Sequence, residues 1–243
     1  MRLKASGGPA PRTGYPCRVA TSTVEDYLKC VLLEEERAPG VRVSMGQIAG
    51  ALAVAPGTVT SMVKALADGG LVDYEPYSGV RLTPAGRQLA MHVLRRHRLV
   101  ELFLVKLMGF GWSEVHAEAE RLEHAVSDRL IGRMDEMLGF PAADPHGDPI
   151  PSAHGEVSEP ALVNLLRAPL GTPLRVARVT DQSGDFLRLL ERQGLMPGAS
   201  LAIEQRDEAA DTVALGLSSG ERLNLGFRAA SKILVEPVPA ERA

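Results

Sequence analysis

The sequence of 243 residues predicts a mainly α-helical first two-thirds followed by a small all-β domain. Three observations support this prediction. Apolar residues recur with helical spacing between Thr23 and about Leu138. Seven of the 17 prolines then fall between Pro141 and Pro173, which is typical of a linker. Beyond the prolines, short β-branched segments alternate with turn residues at near-regular intervals, as in a small barrel.

The first predicted unit spans residues 21–88 and has the element order of a winged helix-turn-helix. The segment TVEDYLKCVLLEEE has helical periodicity behind a Thr or Ser cap. Two short helices follow, one capped by Ser44 and one that begins at Pro56, and a tight turn joins them. Two β-branched or aromatic segments around Pro76 then predict a hairpin. Residues 1–20 are rich in proline and glycine, which predicts a flexible tail.

The second predicted unit, residues 89–140, is helical. One long helix is expected from Pro84 to about Met108, where glycines end it, and another from Ser113 to about Leu138. Helix-turn-helix proteins usually bind DNA as dimers, so we expect apolar residues of this unit to form the seam of a homodimer.

A proline-rich linker, residues 141–172, follows and contains one short predicted helix, ALVNLLRA. The last unit, residues 173–239, is predicted to be a small five-stranded barrel of the SH3-like type. Its strands are expected at LRVARV, SLAIEQ, TVALGL, ERLNL and KILVEPV, with the helix DFLRLLERQ inserted early.

The composition excludes several classes of protein. No apolar run approaches the length of a membrane-spanning helix, and the start lacks the apolar core of a secretory signal, so we expect no membrane partner. Cys17 and Cys30 are the only cysteines, which favours a cytoplasmic location. The net charge of −3 conceals an asymmetry, because residues 1–98 carry 13 Lys and Arg against 8 Asp and Glu. The N-terminal part can therefore approach a polyanion.

The second helix of a helix-turn-helix lies in the major groove of DNA with its N-terminal residues at the base edges. Here that helix begins with small hydroxyl-bearing residues that can bond phosphates or bases, and a lysine and a wing arginine lie nearby. The alternative is that these helices merely pack, since winged helices also bind proteins. The candidate DNA-binding residues are Pro56, Thr58, Thr60, Ser61, Lys64 and Arg81.

Six His and Glu residues between His97 and His124 have metal-ligand spacing on the two predicted helices of the second unit. Residues three or four apart share a helix face, so these side chains form two stripes. The alternative is a solvated charged face in which neighbouring arginines pair with the carboxylates. The two possible ligand sets are His97, Glu101 and His116, and Glu120, Glu123 and His124.

These ligands offer only oxygen and imidazole nitrogen, which suits Mn(II) or Fe(II) better than Cu(I) or a structural zinc site. Affinity alone ranks Zn(II) above Mn(II), so the metal supply of the cell must contribute to selectivity. A metalloenzyme is a further alternative, but the pattern HEXXH is absent and no residue stands out as a general base. His146 and His154 fall in the proline-rich linker, where a role in a turn or in solvent is expected.

Several segments together resemble the iron- and manganese-dependent transcriptional repressors typified by the diphtheria toxin repressor. The resemblance begins at about residue 21 and extends over nearly all of the remaining chain. It rests on VEDYLKCVLLEEE, RRHRLVELFL, VHAEAERLEHAVSD and HGDPIP, and the pattern HRLxE followed by HxExxxxEHxxSD is specific. It implies a repressor that binds metal and then double-stranded operator DNA to control genes for metal uptake.

The resemblance also implies an ancillary and a primary metal site. Asp26 and Glu120 stand where iron-sensing members carry Met and Cys, and these hard oxygen ligands favour Mn(II), with Fe(II) as the alternative. The ancillary site corresponds to His97, Glu101 and His116, and the primary site to Asp26, Glu120, Glu123 and His124.

Two features of this chain modify what the resemblance implies. Lys29 stands where compact two-domain manganese members use a Glu in a close two-metal cluster, and a protonated lysine cannot ligate, so we expect two separated sites. In longer members the SH3-like domain adds ligands to the ancillary site, and these correspond here to Asp185 and Gln182. A metal that joins Asp26 on the first helix to the second unit would couple metal binding to DNA binding.

Overall fold

The computed structural model describes residues 21–238, so the tail predicted at residues 1–20 lies outside the described part. The fold class predicted from the sequence is confirmed, because two helical units precede a small all-β domain. Within the described residues, no single helix is long and apolar enough to cross a membrane. Only the bent pair of Met45–Leu52 and Pro56–Asp68, which meet at 111°, has the length and composition of a broken span.

The first unit is a winged helix-turn-helix. Its elements are α1 (Ser22–Arg37), α2 (Met45–Leu52), α3 (Pro56–Asp68), β1 (Val72–Glu75) and β2 (Gly79–Leu82). Thr21 caps α1, and Ser44 begins α2 in a capping box with Gln47. β1 and β2 pair in antiparallel fashion as the wing. The apolar faces of the three helices and the wing share one core.

The helix α4 (Pro84–Met108) connects the first unit to the second. Thr83 caps its first turn, and Gly109, with a φ of 74°, ends it in the left-handed conformation that favours glycine. Leu94 packs in the core of the first unit, whereas Leu99 packs in that of the second. The predicted boundary between the units therefore lies inside a helix that both share.

The sequence predicts one helix after α4, and this prediction is wrong, because the structure contains two helices, α5 (Val115–Leu122) and α6 (Asp128–Met137). The side chain of Ser127 accepts a hydrogen bond from a backbone N–H three residues on and starts a new helix. Apolar spacing continues across the break, so periodicity alone does not reveal it. Glu123 and His124 consequently lie where α5 ends.

The C-terminal domain is a six-stranded antiparallel sheet with two helices. The elements are β3 (Val163–Asn164), β4 (Leu174–Val179), α7 (Gly184–Arg192), β5 (Ser200–Asp207), β6 (Thr212–Leu217), β7 (Arg222–Gly226), α8 (Phe227–Ala230) and β8 (Ile233–Pro237). The strands lie in the spatial order β3-β8-β4-β5-β6-β7. Their inward-facing residues form one core with residues of both helices.

The strand β3 lies in the segment ALVNLLRA, for which the sequence predicts a helix, and that prediction is wrong. Val163 and Asn164 pair with β8, and Leu165 behind them is fully buried. A segment this short is a marginal helix by itself, whereas the edge of β8 offers hydrogen-bond partners to its backbone. The sheet therefore has one strand more than predicted and begins before residue 173.

Part of the proline-rich linker packs on the sheet as a tight turn. The carboxylate of Asp144 accepts hydrogen bonds from two backbone N–H groups of this turn, at 2.8 and 2.9 Å. The N–H of Val179 in β4 donates to the carbonyl of His146 at 2.9 Å. Gly147 has a φ of 87°, and a Cβ there would stand 1.9 Å from the carbonyl oxygen of Ala177. Only glycine fits at this point.

We expect Gly147→Ala to lower the free energy of unfolding by at least about 2 kcal/mol, because the new methyl group meets backbone that cannot rotate away. Gly171→Ala is the matched control, since Gly171 also has a positive φ, 66°, but nothing lies within 4 Å of its Cβ position. Chemical denaturation of both variants measures the difference. Equal losses in the two variants would contradict the docking of the turn on β4.

Candidate metal centre and nucleic-acid interface

Three helices bring together the side chains that the sequence singles out as ligands. His97 and Glu101 are four residues apart on α4, and His116 and Glu120 are four residues apart on α5, so each pair shares a helix face. α1 packs against α4 and adds Asp26 from the DNA-binding unit. The predicted ligands therefore meet where the first and second units join.

The predicted ancillary ligands form a tight triangle. Nε2 of His97 lies 3.0 Å from Oε1 of Glu101 and 3.1 Å from Nδ1 of His116. Nδ1 of His116 lies 3.0 Å from the same oxygen of Glu101. Glu101 is 1% exposed, whereas the side chain of His116 is 53% exposed, so the triangle opens to solvent on one side. Two imidazoles and one carboxylate at these distances can hold one divalent cation.

Three of the four predicted primary ligands also converge. Nε2 of His124 lies 2.7 Å from Oδ1 of Asp26 and 3.3 Å from Oε1 of Glu123. Nδ1 of the same ring bonds Oε2 of Glu25 at 2.6 Å, which leaves Nε2 as the ring nitrogen that can bind a metal ion. Glu25, which the sequence interpretation missed, therefore orients His124.

The fourth predicted primary ligand, Glu120, lies closer to the ancillary triangle. Its Oε1 is 3.5 Å from Nε2 of His116 and 3.7 Å from Nδ1 of His97. The ammonium of Lys29 bonds this oxygen at 2.8 Å and Oε1 of Glu123 at 2.6 Å. Lys29 thus stands between the two ligand sets.

Burial and pairing act in opposite directions on the pKa of each buried ligand, and the pairing contacts together have the larger effect. Burial lowers the pKa of His97, but hydrogen bonds to Glu101 and Glu123 outweigh it and raise that pKa to about 9. Burial raises the pKa of Glu123, but the contacts with His97 and Lys29 outweigh it, so the pKa falls below its ordinary value. The pKa of His124 is raised, because bonds to carboxylates such as Glu25 exceed the effect of burial. The cluster therefore holds paired charges.

A third group of ligand atoms lies beside the ancillary triangle and was not predicted. His146 lies in a turn, as expected, but its side chain is fully buried, so the expected solvent role is wrong. Its Nε2 bonds the carbonyl oxygen of Trp112 at 2.9 Å, and its Nδ1 finds no hydrogen-bond partner in the described part of the chain. That Nδ1 lies 3.8 Å from Oε2 of Glu101 and 4.0 Å from Oδ1 of Asp144. The segment HGDPIP carries the only sequence signal for this group.

The two ligands expected from the SH3-like domain are paired with other residues. Asp185 stands in the first turn of α7, where its exposed carboxylate pairs with Arg188 at 2.6 Å. The side-chain amide of Gln182 donates to Asp148 at 2.5 Å. Among residues 21–238, neither side chain bonds the ancillary triangle, although Gln182 lines a cavity that His116 also lines. Asp185 points into solvent because the first turn of α7 is exposed at this residue.

Five of the six candidate DNA-binding residues are exposed, and Thr60 is partly buried. The start of α3 is exposed, and the hydroxyls of Thr60 and Ser61 donate to carbonyls one turn back, at 3.0 and 3.1 Å. Lys64 is exposed one turn further along α3. Arg81 of the wing donates to the carbonyl of Gly40 at 2.8 Å, which ties the wing to the loop before α2. Pro56 and Thr58 are exposed as well.

Comparison with known proteins gives matches over nearly the whole chain. Residues 20–80 match the N-terminal DNA-binding domain of iron-dependent repressors, residues 83–152 their metal-binding and dimerisation domain, and residues 163–237 the FeoA domain. The iron-dependent repressor IdeR of Mycobacterium tuberculosis (strain H37Rv) is 33% identical over 229 residues, which cover 89% of this chain and 97% of that protein. The diphtheria toxin repressor of Corynebacterium diphtheriae is 38% identical over 198 residues, which cover 76% of this chain and 85% of that protein.

Solved structures give the same result. A manganese-dependent transcriptional repressor in complex with manganese is 40% identical, with a TM-score of 0.80 over 88% of this chain and 100% of that chain. The apo form of the manganese-activated repressor ScaR is 35% identical, with a TM-score of 0.69 and the same coverage. Fold, ligand cluster and comparisons together define a metal-dependent, DNA-binding transcriptional repressor.

The chain belongs to the diphtheria toxin repressor family of iron- and manganese-dependent repressors. Its dependence on a divalent metal, its DNA-binding domain and its dimerisation domain follow from this membership. Members of the family are transcriptional repressors, so the metalloenzyme alternative is set aside.

We expect the thermal midpoint of the metal-free protein to fall by several °C as the pH rises from 6.5 to 9. The pKa of His97 is about 9 in the folded protein against an ordinary value of 6.5, so its stabilising charge is fully present below pH 6.5 and is lost through pH 9. Each unit of pKa difference is worth about 1.4 kcal/mol, and about 1 kcal/mol moves the midpoint by about 2–4 °C at this size.

The variant His97→Gln cannot titrate and should flatten this dependence, whereas His154→Gln, at an exposed position, should keep it. Thermal unfolding followed by circular dichroism at half-unit pH intervals makes the comparison. An unchanged slope in His97→Gln would show that the charge of His97 does not stabilise the fold.

Proposed function

We propose that this chain is a Mn(II)-activated repressor that acts in the cytoplasm, binds operator DNA as a homodimer and represses genes for metal uptake when Mn(II) is plentiful. One observation carries the proposal: Asp26 on α1 of the DNA-binding unit lies 2.7 Å from His124, which follows α5 of the second unit. A ligand set drawn from both units gives metal a direct way to fix one unit against the other.

The donor set supports Mn(II) as the metal. The primary set proposed here is Asp26, Glu123 and His124, and the ancillary set is His97, Glu101 and His116 with Glu120 beside it. These groups offer carboxylate oxygen and imidazole nitrogen, without thiolate or thioether, and hard oxygen ligands suit Mn(II). The similar structure at 40% identity is that of a manganese-dependent transcriptional repressor in complex with manganese. Fe(II) remains the alternative, since the same donors accept it.

The mechanism follows from the helices on which these residues lie. A divalent cation supplies two positive charges that carboxylates from two units can share. Asp26 projects from the helix that leads into the helix-turn-helix, and Glu123 and His124 directly follow α5, the helix that packs on α4. Ligation by all three residues would hold α1, and with it α3, in one orientation. By linkage, operator DNA would raise metal affinity by the same factor by which metal raises DNA affinity.

A homodimer would match an operator with two-fold symmetry. Apolar side chains stay exposed on the second unit, with exposed fractions of 38% for Leu122, 44% for Leu130 and 55% for Met137. A second copy that covers them would carry a second α3, and half-sites would then lie about 34 Å apart or at a multiple of that distance. The exposed face of Thr58, Ser61 and Lys64 would contact the DNA.

The group of Glu101, Asp144 and His146 is proposed as a further cation site that shares Glu101 with the ancillary set. Its support is the buried, unpartnered Nδ1 of His146, which faces two carboxylates. We expect His146→Phe, which can keep the stacking on Trp112, to bind one Mn(II) fewer per chain than the unsubstituted protein. His154→Phe is the control. Metal content after equilibrium dialysis decides, and an unchanged count would remove this site.

Fluorescence anisotropy tests the proposed function, with a labelled genomic fragment from upstream of a metal-transporter gene. We expect Mn(II) to tighten binding of the fragment by about 5- to 150-fold and a chelator to reverse the effect. Fe(II) at the same concentration, under anaerobic conditions, should be less effective. Greater potency of Fe(II) would favour the iron alternative, and binding that ignores both metals would contradict the proposal.

The variant Glu123→Ala extends this test to the primary set. It should lose the response to Mn(II) while circular dichroism shows a folded protein. Glu118→Ala is the matched control, because Glu118 lies on α5 and its ion-pair partner within residues 21–238 is the neighbouring Arg121, at 2.8 Å. A retained Mn(II) response in Glu123→Ala would count against the assignment of Glu123 as a ligand.

A further inference from the structure

The ammonium of Lys29 lies buried between the primary and the ancillary ligand sets. The side chain is 8% exposed, and its Nζ lies 2.8 Å from Oε1 of Glu120 and 2.6 Å from Oε1 of Glu123. Lys29 comes from α1 of the DNA-binding unit, whereas both carboxylates come from α5 and its end. The contact therefore joins the same two units that the primary ligand set joins.

Each of the two oxygens belongs to a different ligand set. Oε1 of Glu120 lies 3.5 Å from Nε2 of His116, on the side of the ancillary triangle. Oε1 of Glu123 lies 3.3 Å from Nε2 of His124, in the primary set. An ammonium has three donors and no lone pair, so Lys29 can pair with these oxygens but cannot ligate a metal. One side chain thus holds an oxygen from each set.

We propose that Lys29 is a tethered cation that competes with metal at both sites and thereby makes the binding of the two ions cooperative. The inference rests on the proposed function, because it requires the two ligand sets to take metal. The first ion must draw one carboxylate away from Lys29. Release of that contact weakens the hold of Lys29 on the other carboxylate, so the second ion meets less competition.

Two opposing effects determine the size of the cooperativity. Repulsion between two divalent ions disfavours the second one, and withdrawal of the ammonium from between the sites offsets that repulsion. A lysine that only braced α1 against α5 would change stability and leave the shape of the binding curve unaltered. The shape of the curve is therefore the measurement that distinguishes competition from bracing.

The test is a titration of the full chain with Mn(II) alone, without DNA, in which free Mn(II) is followed by electron paramagnetic resonance. We expect a sigmoidal curve for the unsubstituted protein. Lys29→Met should bind the first ion about tenfold more tightly and lose the sigmoidal shape, because no tethered cation competes. Lys29→Arg keeps the charge and should stay sigmoidal. Lys106→Met, at an exposed lysine of α4, is the matched control and should behave as the unsubstituted protein.

Each result supports or overturns the inference. The inference is overturned if Lys29→Met keeps the shape of the binding curve and the first-ion affinity, or if it binds Mn(II) more weakly. Either result leaves the proposed metal sites unaffected. A protein that binds no Mn(II) overturns the proposed function as well, which separates the two failures. Circular dichroism of the metal-free variants checks folding. If Lys29→Met does not fold, Lys29→Gln, which lacks the charge and keeps a donor, takes its place with the same expected result.

Discussion

The arrangement of the helices around the metal centre depends on the contacts of the Glu123 carboxylate. It is fully buried, and its two oxygens bond Nδ1 of His97 on α4, at 2.5 Å, and Nζ of Lys29 on α1, at 2.6 Å. A carboxylate taken out of water is tolerated only when cations or donors surround it. α1, α4 and the end of α5 must therefore stay together, and the DNA-binding unit cannot leave the second unit without exposing or neutralising this charge.

Helical spacing in the sequence identifies most of this centre. Residues four apart share a face, which is enough to pair His97 with Glu101 and His116 with Glu120. Helical spacing does not predict which carboxylate faces which neighbour on another helix. The position of Glu120 beside the ancillary triangle and its contact with Lys29 therefore result from the packing of the helices. The sequence does contain a signal for the break before Ser127, because Ser-Asp after a helical run is typical of the start of a new helix.

Other parts of the site could not be predicted, because tertiary contacts create them. His146 lies in a proline-rich segment that is polar in composition, and only its docking on β4 buries the ring beside Glu101. Similarly, Val163 and Asn164 pair with a strand about seventy residues further along, which no local propensity encodes. Its composition predicts that this linker is a spacer, whereas its contacts join the second unit to the C-terminal domain.

The docked linker gives the C-terminal domain a route to the metal centre that needs no ligand from its own loops. The amide of Gln182 bonds Asp148, and the neighbouring backbone N–H groups of the same turn hold Asp144 in place. Asp144 in turn faces the imidazole of His146, which lies 3.8 Å from Glu101. A shift of the sheet would therefore move a carboxylate beside the ancillary set, even though Asp185 itself points to solvent. Because buried charges tolerate little displacement, this turn mechanically links the sheet to the ligand set.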